Sequence, residues 1–548
     1  VLAAGDLGTA LQVAQQSDHV DMAERQLVIG MCHAMFRQAE SAETALREAF
    51  NRFRLDRPPR AAAAAVFLGR MHYFLHDSPR MANGWFARAR RLVSDRPDCY
   101  EHALASLPLP GCDMTDVTEL RRSAADAVVL ARRLGDRNLE AKALADQGTA
   151  EISLALVDEG MTLLDEAMAM VLSGEADSPF ARAEVVCNLF SSCGRVGDIR
   201  RADEWTRAAE RHLGLGFEQG SAFLYAHCRS VFGLILCDVG RWDEAEAALR
   251  LAATRAPQGS PRTEGQVRAA LAELWLLRGC LDDAERLLTE RREHVETLLP
   301  LAGLHLARGQ FAEATAVARQ GLRMLGEDRV RAARLLTICV DAELARGRTE
   351  SAEAAADELD ALTRDRRVPV LAARAGWARG RIAEARDQPE MAVDAYEAGL
   401  RALPGTEWPL LSADLHLALA RVLAAGDAGA AIAEARVAHN LYELLGSPRA
   451  ERSAELLNRL GMPVRVPPRR ADATASLSPR ELVVLELLRD GCSNADIAAR
   501  LHNSVRTIEH HVSSVLGKLG LRSRAEAAAY AASRAIVAPP SATPSRVS

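Results

Sequence analysis

Seven polar side chains fall within one short stretch near the C-terminal end: Arg506, Thr507, Glu509, His510, His511, Ser513 and Ser514. A guanidinium can donate twice to a guanine or to phosphate. A carboxylate can accept from a cytosine amino group, and hydroxyls and imidazoles serve either partner. Ser504 lies just before the stretch and Lys518 just after it. Ile508, Val512, Val515, Leu516 and Leu519 are threaded between them at helical spacing, so one side of a helix would pack while the other presents the polar set. The adjacent His510 and His511 would diverge by about 100° on that helix, too far to share a tetrahedral metal ion. Catalytic patterns are missing. Gly517-Lys518 is followed by Leu519 rather than Ser or Thr, and Lys142 has no glycine-rich loop, so no phosphate cradle is present. No nucleophile–base triad, metal cluster or paired-carboxylate site stands out. The expectation is a binding protein, not an enzyme, with no cofactor and no metal. Cys492, a single thiol without a nearby partner, reads as inert.

The elements that would position these residues are written in their caps. Ser478-Pro479-Arg480-Glu481 is a capping box with proline at the first helical position. The helix it opens turns Leu482, Val484, Leu485 and Leu488 inward and stops at Gly491. Ser493, with Asp496 three residues on, opens a short helix whose inner residues are Ile497, Ala498 and Leu501. His502-Asn503 is a turn, Asn503 or Ser504 caps the longer third helix, and Gly520 ends it. Ser523-Arg524-Ala525-Glu526 starts a fourth, alanine-rich helix reaching about Val537. A short helix, a tight turn and a longer helix with a polar outer face form a helix-turn-helix, whose second helix enters the major groove.

This segment resembles the LuxR/NarL/FixJ-type DNA-binding domain. The matching landmarks are Leu477-Ser478-Pro479-Arg480-Glu481, Gly491, Ser493-Asn494, Ile497-Ala498, Leu501, Arg506-Thr507-Ile508, His511-Val512, Lys518-Leu519-Gly520 and Arg522-Ser523-Arg524. The resemblance implies a four-helix module that binds double-stranded DNA as a homodimer. It implies DNA contacts from Asn494, Ser504, Arg506, Thr507, Glu509, His510, His511, Ser513, Ser514 and Lys518. It also implies pairing through the small residues Ala527, Ala528, Ala531 and Ala532, read as outward on the fourth helix. Glu509 and Gly517 stand where many members carry lysine or arginine, which leaves the operator open.

The rest of the chain has a different texture. Of 548 residues 49% are hydrophobic but only 4% aromatic, which suits helices packed through alanine and leucine and argues against a β-rich fold. A glycine turn followed by acidic residues and alanine recurs at Gly197, Gly240, Gly279, Gly309 and Gly347, and at Asp387 without the glycine. Fainter copies begin at Gly5 and Gly426. A period of roughly 30–45 residues with two helices per unit marks a helical solenoid. The pattern is similar to tetratricopeptide repeats, with a looser period. The expected fold is all-α: a tetratricopeptide-like repeat body over 1–462, a Pro/Arg-rich linker over 463–476, the helix-turn-helix domain over 477–537 and a disordered tail over 538–548. Such a stack presents a concave groove, which Trp205, Trp242, Trp275, Trp377 and Trp408 are candidates to line. RNA polymerase, another protein or a small-molecule effector are its candidate occupants.

The net charge of −6 divides into about −11 for the body and +5 for residues 463–548, as suits a DNA reader whose body stays off the DNA. Ten scattered cysteines without CxxC pairs read as thiols in a reducing cytoplasm, and no apolar run approaches the ~18–20 residues that span a bilayer. A repeat body with this C-terminal domain resembles the C-terminal half of the large ATP-binding LuxR-type regulators, without their ATPase. The chain begins at Val1, so either an alternative start codon or missing upstream sequence is expected. Three readings follow: a transcriptional regulator controlled through its repeat body, a fragment or degenerate descendant of an ATP-dependent regulator, and a helical scaffold.

Overall fold

The computed structural model describes residues 7–16, 21–107, 116–213, 222–255, 261–289, 295–363, 368–403, 408–464, 478–489, 491–501, 503–519, 523–524 and 527–528. The predicted copy at Gly5, most of the linker and the tail lie outside these residues. Among the described residues the chain is all-α, with 27 helices and no strand.

After α1 (Leu7–Gln16) the body is built from consecutive helix pairs. They are α2 (Met22–Met35) with α3 (Ala39–Asp56), α4 (Pro58–Phe74) with α5 (Pro79–Leu92), and α6 (Tyr100–Ser106) with α7 (Val117–Leu134). Next come α8 (Arg137–Ser153) with α9 (Val157–Leu172), α10 (Pro179–Val196) with α11 (Ile199–Leu213), and α12 (Ala222–Asp238) with α13 (Trp242–Arg255). Then follow α14 (Pro261–Leu277) with α15 (Leu281–Leu288), α16 (Val295–Ala307) with α17 (Phe311–Leu325), and α18 (Arg329–Ala345) with α19 (Thr349–Thr363). The last pairs are α20 (Pro369–Ala385) with α21 (Pro389–Ala402) and α22 (Pro409–Leu423) with α23 (Ala428–Leu445), closed by α24 (Ala450–Arg459). Each pair packs internally, and the first helix of one pair packs on the first helix of the next, as in α8–α10–α12–α14–α16–α18–α20. That is a helical-repeat solenoid.

One local rule explains the pairs. The residue between the two helices is left-handed: φ is +75° at Gly197, +82° at Gly240, +75° at Gly279, +73° at Gly309, +71° at Gly347 and +57° at Asp387. Five residues later stands an alanine, namely Ala202, Ala245, Ala284, Ala314, Ala352 or Ala392, and each is fully buried where the second helix crosses the first. Acidic residues such as Asp243, Glu313 and Glu350 occupy the first turn of the second helices, where the backbone dipole favours negative charge. The N-terminal third obeys the same rule with other residues. Arg37 (φ +62°), Asp77 (+50°) and Ala155 (+66°) take the left-handed position, and Ala42, Ala82 and Gly160 follow five residues on. Gly426 sits at its expected turn without a positive φ.

The solenoid winds back on itself. Thr118, at the start of α7, hydrogen-bonds Glu327 across 209 residues of chain through both its N–H (3.1 Å) and its hydroxyl (2.8 Å). Arg195 of α10 donates to Ser153 (2.7 Å) and pairs with Asp328 at 3.5 Å. The Gly240 and Gly279 turns meet Leu445 and Pro448 of the last unit. The first helices thus surround a central cavity of about 420 Å³.

Candidate nucleic-acid interface

The C-terminal domain is built from α25 (Pro479–Arg489), α26 (Asn494–Arg500) and α27 (Val505–Leu519), with the start of a further helix at residues 524 and 527–528. Both expected caps of the first two helices form. Ser478 N–H donates to Glu481 at 2.6 Å and Glu481 N–H to the Ser478 hydroxyl at 3.3 Å. Ser493 and Asp496 exchange the same pair of bonds at 2.9 and 3.2 Å. The Ser493 hydroxyl and then its N–H hold the Asp496 carboxyl below the ordinary carboxylate range. Gly491 ends α25 at φ +76°. Of the two candidate caps for α27, Ser504 is the one used: its hydroxyl accepts from Thr507 N–H at 3.1 Å.

Ile508, Val512 and Val515 of α27 close on Val484, Leu485 and Leu488 of α25 and on Ile497 and Ala498 of α26, with Cys492 buried among them. Leu516 is half-buried against this core, and the Leu519 side chain lies outside what the structure describes. Leu482, expected inside, is 39% exposed, because Val484 and Leu488 already face α27.

With that face buried, Ser504, Arg506, Thr507, Glu509, His510 and Ser513 stand exposed along the opposite side of α27. His511 is half-buried at its edge, so the two histidines diverge as helical geometry requires. Two of the expected DNA contacts also have partners inside the domain, and one expected pairing residue is not outward. Ser514 turns inward: half-buried, its hydroxyl donates to the buried Glu481 carboxylate at 2.6 Å and ties α27 to the cap of α25. Asn494 is half-buried and its amide oxygen accepts from Arg524 at 2.6 Å, so that oxygen is already committed. Ala527, expected to be outward, is fully buried in the core. Ala528 is half-buried, while Ala531, Ala532 and the side chain of Lys518 lie outside the described residues.

Two residues take places that pattern did not give them. Arg524 grips the turn before α26 through Asn494 and the Cys492 carbonyl, locking the fourth-helix start onto the helix-turn-helix. Val505 is 44% exposed beside Arg506 on the outer face, although its spacing to Ile508 and Val512 would assign it to the core.

Residues 475–531 match the family described as bacterial regulatory proteins, luxR family. The C-terminal domain is a LuxR-family helix-turn-helix. The response regulator Rre1 of Synechocystis sp. is 34% identical over 121 residues, which is 22% of this chain and 48% of that protein. The response regulator protein VraR of Staphylococcus aureus is 38% identical over 63 residues, 12% of this chain and 30% of VraR. The chain therefore spans about half or less of the length of these relatives. The chain aligns with a chain in the crystal structure of the APC/C hetero-tetramer Cut9-Hcn1, at 16% identity and a TM-score of 0.42, covering 83% of this chain and 87% of that one. At that score the likeness adds nothing to the fold derived above.

Nothing comparable organises the body's tryptophans into a site. The indole N–H groups of Trp205 and Trp242 donate to Asp165 (2.8 Å) and to the Cys237 carbonyl (3.0 Å), and the guanidinium groups of Arg250 and Arg278 stand 5.5 and 6.0 Å from the centre of the Trp275 ring. Trp377 donates to Asp341 at 3.3 Å. Trp408 alone of the five is in the wall of the central cavity. Among the described residues no helix is long and apolar enough to cross a membrane.

Proposed function

We propose that this chain is a sequence-specific DNA-binding transcriptional regulator whose α27 reads the major groove. The observation that carries the reading is the exposed row Ser504, Arg506, Thr507, Glu509, His510 and Ser513 on a helix held from behind by α25 and α26. Arg506 and the backbone N–H groups at the start of α27 contact phosphate or a guanine edge. Glu509 and His510 face the bases, and Val505 is placed to touch a thymine methyl. Lys518 adds a phosphate contact at the far end. The chain divides into a controlling repeat body over 1–462, a linker over 463–476, the reader over 477–537 and a tail over 538–548. It acts as a homodimer on inverted half-sites, and occupancy of the repeat body controls the reader.

Selection of bound fragments from a genomic library by the full chain tests this directly. The regulator reading requires an enriched motif whose recovery falls steeply between about 50 and 200 mM salt. Recovery of random fragments would remove the sequence specificity, and recovery of none would leave the helix-turn-helix as a protein contact and favour the scaffold.

A further inference from the structure

The central cavity contains more charge than a structural core needs, and almost all of it is paired. Arg70 and Lys142 hold Glu184 at 2.5 and 2.9 Å, and Lys142 also holds Asp146 at 2.6 Å. Arg331 pairs with Glu296 at 3.5 Å, and Arg334 with Glu273. Two side chains in the wall are left over. Arg374 of α20 and Asp238 of α12 form no hydrogen bond or ion pair among the described residues. Burial, then the neighbouring Arg334, pushes the Arg374 guanidinium down to about 10, although Asp238 and Glu273 are close enough to pull it the other way. A buried guanidinium is costly unless its donors are bonded, and the carboxylates of Asp238 and Glu273, though near, do not bond it.

On one side of Arg374 the wall is apolar. Val370 and Leu371 stand four and three residues before it on the same helix, hence on the same face, and both line the cavity. Leu299, Leu335 and Trp408 complete that part of the wall. The volume of about 420 Å³ is within the usual range of small-molecule sites, about 300–1,000 Å³.

We propose that this cavity is a binding site for an amphipathic organic anion, its carboxylate or sulfonate held by Arg374 and its hydrocarbon part laid against Val370, Leu371 and Trp408. Asp238, the other unpaired group, excludes ligands with a second negative charge. The proposal deepens the control reading by naming the class of effector, and binding itself can be measured without DNA.

The full chain is titrated with 1-anilinonaphthalene-8-sulfonate and, in competition, with decanoate, decanol and decylammonium. One probe molecule should bind per chain and be displaced by decanoate, with decanol at least tenfold weaker and decylammonium inactive. Arg374→Gln should weaken decanoate at least tenfold, and Arg374→Lys should restore part of the loss. The Arg374→Gln protein without ligand should melt no lower than the parent, since no ion pair is lost; a lower melting temperature would assign Arg374 a structural role. The site is overturned if neither anion saturates below millimolar concentration, if Arg374→Gln leaves affinity unchanged, or if decanol or decylammonium matches decanoate. Failure here with intact DNA selection removes the site and leaves the regulator. Arg374-dependent binding that leaves DNA affinity unmoved keeps the site and removes the control.

Discussion

The indole of Trp408 lies directly over Gly197, so that a Cβ on residue 197 would overlap the edge of the ring. Trp408 begins the last helix pair and Gly197 is the turn of a much earlier one, so this contact joins successive windings of the solenoid. The glycine is required twice there, by its φ of +75° and by the ring.

Gly197→Ala should therefore cost more than the same change at a turn of equal geometry. The left-handed conformation alone costs an L-residue about 1–2 kcal/mol, and displacing a packed ring adds about 1–3 kcal/mol. Gly347, at φ +71° with open space where its Cβ would lie, is the control. Urea unfolding should show Gly347→Ala losing only the first part and Gly197→Ala both. Equal losses would mean that the Trp408 contact contributes nothing to closing the solenoid.

Stability of the body should carry a pH signature from Asp238. Burial, assisted by Glu273 and opposed by Arg334 and Arg374, pushes its carboxyl up from 3.8 to about 6. The folded protein thus holds a proton that the unfolded chain releases, and stability from this group is present below about pH 4 and lost as pH rises through 6. Asp238→Asn removes the titration while keeping the shape. Urea midpoints at pH 4.5 and pH 7 should show the parent losing stability relative to the variant at the higher pH. Parallel behaviour of the two proteins would place Asp238 in an ordinary solvated environment.

The repeat body was readable where glycine marks the turn, from Gly197 to Gly347, because glycine is the residue that takes a positive φ without strain. It was faint before that because Arg37, Asp77 and Ala155 occupy the same conformation, and a residue type that rarely adopts it leaves no mark in sequence. In the C-terminal domain the caps and the core of α27 followed from spacing alone. Ser514 and Ser513 did not separate, since adjacent polar residues on a helix edge look alike until a partner is found. That partner, Glu481, lies on another helix. The cavity was out of reach for the same reason: Asp238, Glu273, Arg334 and Arg374 come from four helices of four different units.

Those two serines give a clean separation of roles. Ser514→Ala should lower the stability of the folded domain by about 1 kcal/mol through loss of its bond to buried Glu481, without changing the salt dependence of DNA binding. Arg506→Ala should leave the melting transition in place, weaken DNA binding by about 1–3 kcal/mol and lower the salt slope by about 1. Thermal melting together with binding isotherms at several salt concentrations measures both. A Ser514→Ala protein of unchanged stability but weakened DNA binding would return that serine to the DNA face.

Pairing through the fourth helix can be tested on neighbouring alanines. Ala527 is fully buried with Val484, Ile508 and Val515, so a glutamate there places a carboxylate in the core at a cost of several kcal/mol and should unfold the domain. Ala528 is only half-buried, and Ala531 and Ala532 follow it in sequence at a spacing that would suit close approach if the helix continues. Ala528→Glu should keep the helical circular dichroism of the parent and its affinity for a single half-site, while abolishing cooperative filling of an inverted repeat with half-sites about one helical turn apart. The two variants bracket the outcome. Loss of cooperativity in Ala528→Glu, with unfolding confined to Ala527→Glu, assigns the dimer contact to the outer side of this helix. Cooperative binding retained by Ala528→Glu moves the contact elsewhere, and the repeat body becomes the element that brings two readers together.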